Sequence, residues 1–312
     1  MTARRASRWI AGIVALIGQT SCLAGPGSVA APPAVAQTMP ATSAPAAPAL
    51  PDPSRAPNGA AAFALKGQLT QGGTAIGVVP AGTVSLTLDG KAVPVAADGR
   101  FLIAFDRDAA AGAMLVAART DGTAVTAALT IAPRGWDISR LSTLPKYPVP
   151  QPEFEAKRPA EIAEINAARA RVTDASGWNQ TFLWPATGRI STLFGSQRIY
   201  ANGEAGSYHS GLDVAIPSGT KVLAPADGVV ILATDHPFTL EGNLLMIDHG
   251  MGLSSALMHL SRIDVHVGDH VKRGQPVALS GMTGRATGPH LHWGLKWQDA
   301  RIDPLLLAGP MP

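Results

Sequence analysis

All eight histidines of the chain fall between His209 and His292. A random scatter over 312 residues would not confine them so. Three groupings stand out: His209-Ser210-Gly211-Leu212-Asp213, an H-x-x-x-D; Met258-His259-Leu260, closing an apolar run; and His290-Leu291-His292, an H-x-H. On a strand, side chains at i and i+2 share a face, so His290 and His292 can both look into one site about 7 Å apart along the backbone. Two histidines and one carboxylate form a catalytic zinc set that leaves a fourth position for water. Zinc lowers the pKa of that water to about 7, which gives a nucleophile at neutral pH. Each grouping alone is a weak signal; together, in one cysteine-free stretch, they point to a metal site. Spacing does not say which of His290 and His292 is the ligand. There is no G-x-S-x-G, and the only cysteine, Cys22, lies far away. The glycine-rich run 281–288 is followed by no helix, so it reads as a close backbone approach delivering His290 and not as a phosphate cradle. His249, before Gly250, reads as structural; His236, His266 and His270 read as solvated. Arg198 and Tyr208 either touch substrate or are ordinary surface.

The elements that must position these groups read as strands. Across 181–312, short apolar runs at 229–233, 244–247, 252–260 and 276–279 are cut by Gly, Pro and Asp at strand-like spacing. Residues 61–133 repeat the pattern: 84–88 alternates apolar and polar, Asp89-Gly90 signals a tight turn, and 91–95, 101–105 and 114–118 follow as strands. That spacing suggests a small antiparallel β-sandwich-like domain. It holds no cluster of His, Asp or Glu, and reads as a spacer or binding module. Residues 134–180 connect the two, with Pro145, Pro148, Pro150 and Pro152 in an extended stretch. A helix is expected at about 159–173, opened by Pro159, with Ile162, Ile165, Ala168 and Val172 on one side. The expected fold class is all-β: an amino-terminal β-sandwich-like domain, one connecting helix and a carboxy-terminal antiparallel β domain.

The first 36 residues read as a signal peptide. Arg4, Arg5 and Arg8 precede a short apolar run at 9–17, and Ala34-Val35-Ala36 forms a cleavage site. A retained membrane anchor, or a lipid anchor at Cys22, is the alternative. Residues 37–60 are rich in Ala and Pro and read as an extended linker. The three arginines carry the whole net charge of +3. The rest of the chain is balanced, and no basic face of the kind nucleic-acid phosphates need is visible.

Residues 184–306 resemble the LytM/lysostaphin-type zinc metallopeptidases, the peptidoglycan endopeptidases of the duplicated-hybrid-motif fold. The resemblance runs through Phe194-Gly195, His209 to Asp213, Ile216-Pro217-Ser218-Gly219-Thr220 and Ala224-Pro225-Ala226-Asp227-Gly228. It continues through Ile247-Asp248-His249-Gly250, His259-Leu260-Ser261, Val267-Gly268-Asp269, Gly274-Gln275 and Thr283-Gly284. It ends with Thr287-Gly288-Pro289-His290-Leu291-His292 and Asp303-Pro304. It implies a LytM-type β domain with one Zn2+ per chain, bound by His209, Asp213 and His292, and a catalytic pair of His259 and His290. It implies hydrolysis of peptide bonds in peptidoglycan stem or cross-link peptides, with the zinc-bound water as nucleophile. The chain departs from many relatives at Leu257, where an aromatic residue is usual, and at Gly294, where an acid is frequent; neither position is a ligand. The rival reading is a non-catalytic or autoinhibited wall-binding protein that activates another peptidoglycan hydrolase. The expected setting is outside the cytoplasm, in the periplasm or cell envelope. The expected partners are peptidoglycan peptides and a cell-envelope regulatory protein, and the chain is expected to be a monomer.

Overall fold

The computed structural model describes residues 62–142 and 152–312. The segments expected to be a signal peptide (1–36) and a linker (37–60), and the prolines from Pro145 to Pro150, lie outside the described residues. Among the described residues no helix is long and apolar enough to cross a membrane.

Residues 64–130 form two antiparallel sheets. Ala64–Gly67, Thr74–Val78 and Arg100–Ala104 make one; Lys91–Ala92, Thr83–Leu88, Gly112–Arg119 and Ala124–Thr130 make the other. The Asp89-Gly90 turn has both φ angles positive, 50° and 79°, as a two-residue turn matching the strand twist requires. Alternation along Thr83–Leu88 and Gly112–Arg119 buries Leu86, Leu88, Leu115 and Ala117 in the same apolar cluster as Phe101 and Ile103 of the smaller sheet.

The carboxy-terminal part is built on one antiparallel sheet. Its strand order is His270–Val271, Gly228–Ala233, Asn243–Gly250, Leu253–Leu260, Leu291–Trp297, Leu212–Ala215 and Arg189–Thr192. Ala300–Ile302 pairs on Leu291–Trp297. One face of this sheet carries Leu245, Ile247, Leu257, Trp293 and Leu295 into the main core. The other face is divided: a helix covers one end, and the histidine groupings occupy the rest.

That helix runs Pro152–Arg169, earlier than the expected 159–173. Pro152 fills the first-turn role assigned to Pro159, with Glu153 and Glu155 favourably placed beside it. Pro159 lies inside the helix. The buried stripe also differs from the expected one. Ile165 and Ala168 do pack, against Ile231, Leu232, Phe238, Leu244 and Met246. Ile162, however, is 42% exposed and Val172, beyond the helix end, 89%. Glu161 takes the buried place because its carboxylate is satisfied: it accepts from the Thr239 N–H and hydroxyl at 2.7 and 2.6 Å and pairs with Arg158 at 3.2 Å. Arg158 also grips Glu241 bidentately at 2.6 and 2.7 Å, fastening the helix to the loop before Asn243.

Candidate metal centre

Strand register places the first three groups. Asp213 stands directly opposite His292, and Leu212 opposite Trp293. Opposed residues share a face, so Leu212 and Trp293 go to the core while Asp213 and His292 emerge together. His209 lies just before that strand. Its N–H donates to the Ser196 carbonyl at 2.8 Å and its carbonyl accepts from Gly195 N–H at 2.8 Å. Gly211 permits the approach: a Cβ there would lie 2.5 Å from the Trp293 carbonyl oxygen and 2.6 Å from His292 Nε2.

The three side chains converge on one point. His209 Nε2 is 3.1 Å from Asp213 Oδ1 and 3.0 Å from His292 Nδ1, and His292 Nδ1 is 2.9 Å from Asp213 Oδ1. His209 donates its Nδ1 proton to the Leu193 carbonyl at 3.1 Å, which leaves Nε2 as a lone-pair donor. With both rings neutral, the triangle holds at most one proton between three atoms that all offer lone pairs. A divalent cation supplies the missing positive charge, and ligands bound at 2.0–2.1 Å around a tetrahedral ion stand roughly 3.3 Å apart. The donor set and its spacing fit such an ion. Burial raises the Asp213 carboxyl, but the His209 and His292 imidazoles against it outweigh that and hold the group well below the usual carboxylate range.

His259 reaches the same face by a different device. Strict alternation after Leu257, which opposes Trp293, would turn His259 to the core. Instead the pairing with Asn243–Gly250 slips between Leu245 and Asn243, and His259 takes φ 61°, the left-handed region costly for a side-chain-bearing residue. Its N–H is held by the Glu241 carbonyl at 2.8 Å. The irregularity swings the imidazole beside His290, with ring centroids 4.6 Å apart. His259 donates its Nδ1 proton to the Thr283 carbonyl at 2.9 Å, and His290 donates its own to Gly288 at 2.8 Å. Both therefore keep Nε2 as an acceptor, and His290 Nε2 lies 3.8 Å from Asp213 Oδ1. Burial, reinforced by the neighbouring His292 and His290, lowers His259 to about 4, so it is neutral at pH 7.

Gly281 pairs with His290, and a Cβ on it would lie 2.6 Å from Ser261 N and 2.8 Å from the His259 carbonyl oxygen. The glycine-rich run is thus the close approach expected of it. A cavity of about 260 Å³ opens beside the site, lined by Arg189, Thr192, Asp213, Thr287 and His290. His249 is buried on the opposite face, on a strand and not in a turn. His236, His266 and His270 are exposed. Tyr208 is a tether: its hydroxyl donates to Asp106 at 2.8 Å, and burial raises it to about 12. Sequence reasoning gave no role to Thr283 or Glu241, whose backbone carbonyls hold His259; a backbone function leaves no side-chain signature.

The model of peptidase family M23 matches residues 207–304. Peptidoglycan DD-endopeptidase ShyA of Vibrio cholerae is 44% identical over 107 residues, which cover 34% of this chain and 24% of ShyA. Peptidoglycan DD-endopeptidase ShyB of the same organism is 37% identical over 139 residues, 45% of this chain and 28% of ShyB. The matched stretches thus span about a quarter of these relatives' length. A crystal structure of an M23 peptidase from Pseudomonas aeruginosa superposes with a TM-score of 0.60 at 29% identity, over 78% of this chain and 96% of that one. The overlap is too long for residues 181–312 alone, so the likeness reaches into the amino-terminal sheets as well. The carboxy-terminal part of the chain is a LytM-type domain of peptidase family M23.

Proposed function

We propose that this chain is a zinc-dependent endopeptidase that hydrolyses peptide bonds in peptidoglycan stem or cross-link peptides outside the cytoplasm. The observation that carries the reading is the triangle of His209 Nε2, Asp213 Oδ1 and His292 Nδ1 with 2.9–3.1 Å sides, flanked by two imidazoles whose Nε2 atoms are free of backbone partners. The peptidoglycan DD-endopeptidases ShyA and ShyB support the substrate class.

Bound by His209, Asp213 and His292, a zinc ion would supply a water that ionises near pH 7 and would polarise the scissile carbonyl. The chain's own groups do the rest. His290, beside the triangle, and His259, against it, each take a proton at Nε2 while Nδ1–H stays on a backbone carbonyl. The imidazolium so formed faces the negative charge that develops on the attacked carbonyl, and returns the proton to the amine that leaves. The cavity beside Asp213 and His290 gives an extended peptide a place to lie. The amino-terminal sheets serve as spacer or wall-binding module, and the chain works as an envelope monomer.

The test is incubation of the zinc-loaded chain with purified cross-linked muropeptides, read by mass spectrometry, with Asp213→Ala alongside. Cleavage by the wild type only, at one identifiable bond, is expected. One bound zinc with no cleavage would favour the activating, non-hydrolytic protein instead.

A further inference from the structure

A second cavity lies on the same sheet face, at the other end of the histidine strand. It is about 40 Å³, room for a few waters or one carboxylate group. Its floor is Met258 and Gly294, Ser210 forms one wall, and Arg169, Lys296 and Arg301 converge on it. The register fixes its place: Met258 opposes His292, and the positions opposing Gly294 and Lys296 follow on the same face. Lys296 is four residues beyond His292, about 13 Å of strand. An extended peptide with its scissile bond at His292 covers that distance in about four residues.

Three cations line one small cavity and repel each other, and two of them, Arg169 and Lys296, are partly buried. Burial lowers Arg169 and Lys296 from their ordinary values, and each is lowered further by the other cations around the cavity. Arg169 Nε is buried and has no hydrogen-bond partner. The acids whose fields reach the group are already engaged: Glu241 by Arg158, Asp299 by Lys91, and Asp106 by the Tyr208 hydroxyl and the Arg301 N–H. Arg301 Nη1 donates to the Tyr208 hydroxyl at 3.2 Å, a neutral acceptor. Arg169 ends the helix, where a cation complements the dipole, but that accounts for one charge and not for three meeting at a void. Folding alone does not account for three cations around one cavity.

We propose that this cavity is a carboxylate-binding subsite, in which Arg169 and Lys296, with Arg301 at the rim and Ser210 beside His209, hold a carboxylate of the substrate peptide a few residues from the scissile bond. This rests on the peptidase reading and names what the substrate must carry. The carboxylate comes either from a peptide carboxy terminus or from a side chain of a diacid residue.

The test uses the full chain stripped of metal by chelation, so that binding is read without turnover. Cross-linked stem-peptide dimers are titrated calorimetrically as the free acid, with the terminal carboxyls amidated, and with the side-chain carboxyls amidated. One amidated form is expected to bind about tenfold or more weakly than the free acid, since charge-assisted hydrogen bonds to a carboxylate carry that much discrimination, and which form it is names the source. In Arg169→Gln and Lys296→Met the three forms bind alike. Both variants relieve repulsion, so their Tm is equal to or above that of the wild type; a lowered Tm with discrimination retained would mark the cations as structural. Equal binding of all three forms by the wild type would overturn the subsite, as would no binding of any form at millimolar peptide. Cleavage by the zinc-loaded chain is scored separately. A binding preference without cleavage sinks the endopeptidase reading alone, and cleavage without a preference sinks the subsite alone.

Discussion

Two buried histidines on neighbouring strands of one sheet, His249 and His259, face opposite ways and differ in two respects. Burial lowers both to about 4. His249 has both nitrogens engaged: Nδ1 with the Asp227 carbonyl at 2.9 Å and Nε2 with the Ser255 hydroxyl at 2.8 Å, under the edge of Phe182. Ser255 in turn accepts from the Trp293 indole N–H at 3.3 Å. His259 has one nitrogen on a carbonyl and the other turned toward His290 and the ligand triangle. A depressed pKa therefore does not separate a structural histidine from the one proposed here for chemistry. The unfilled nitrogen does, together with the backbone strain that aims it: the strand pairing slips beside both residues, but only His259 takes a positive φ, 61°.

The largest effect that could break this contrast is on turnover. His259→Ala and His290→Ala should each lower kcat by roughly 10²–10⁴-fold, the range for a positioned acid–base group, while one zinc per chain is retained. Metal content by atomic absorption beside the muropeptide assay checks both halves. Loss of zinc in either variant would make these residues ligands and not proton carriers.

The converse change is His249→Ala. It strands the Asp227 carbonyl and the Ser255 hydroxyl and opens space against Phe182. It should cost about 2–4 kcal/mol of stability by denaturant titration, with kcat per folded molecule unchanged. A large loss of kcat in the folded variant would put His249 in the chemistry.

How much of this was legible depends on which rule each residue obeys. His290 and His292 obey strand alternation, so their shared face could be read from an H-x-H. Asp213 and His209 could be read as a motif, but their meeting with His292 depends on strand pairing across 79 residues, which spacing does not encode. His259 breaks alternation. Read with period two it belongs with Leu257 in the core, and only the family resemblance placed it in the site. The helix start was misplaced because two prolines, Pro152 and Pro159, could each open it, and its buried stripe because Glu161 finds enough partners to be buried. Arg169, Lys296 and Arg301 lie in three separate elements with no common motif; only the packing of the helix on the sheet brings them together.

A smaller effect sharpens the comparison on the groove side. Gly211→Ala places a Cβ against the Trp293 carbonyl and His292 Nε2. The carbonyl cannot yield, so the strand or the ring must shift, at about 1–3 kcal/mol. If the ring is the zinc ligand proposed above, zinc affinity should fall by about 10–100-fold, the range seen when a ligand's support is disturbed. Competition with a chelating dye measures it. Unchanged affinity would show that the His292 ring can move freely, against the rigid placement that separates it from a solvated histidine.

The smallest effect is on the pH dependence of stability. His249 has a folded-state pKa near 4 against 6.5 in the unfolded chain, so between these values the unfolded state binds more protons. Its contribution is full above pH 6.5, falls as pH drops, and is exhausted below about 4. From pH 8 to 5.5 the loss is about 1.4 kcal/mol, one pKa unit's worth. His259 adds a similar loss in the metal-free chain, where its lowering has the same cause. Zinc-loaded and metal-free chains, each as wild type and His249→Gln, separate the two when unfolded by urea at both pH values. His249→Gln should flatten the slope by about 1–1.5 kcal/mol in both forms, since its partners lie on the core face, away from the metal. A flattening that appears only when metal is absent would couple His249 to the site across the sheet, and would remove the distinction between a histidine that holds the fold and one that works in it.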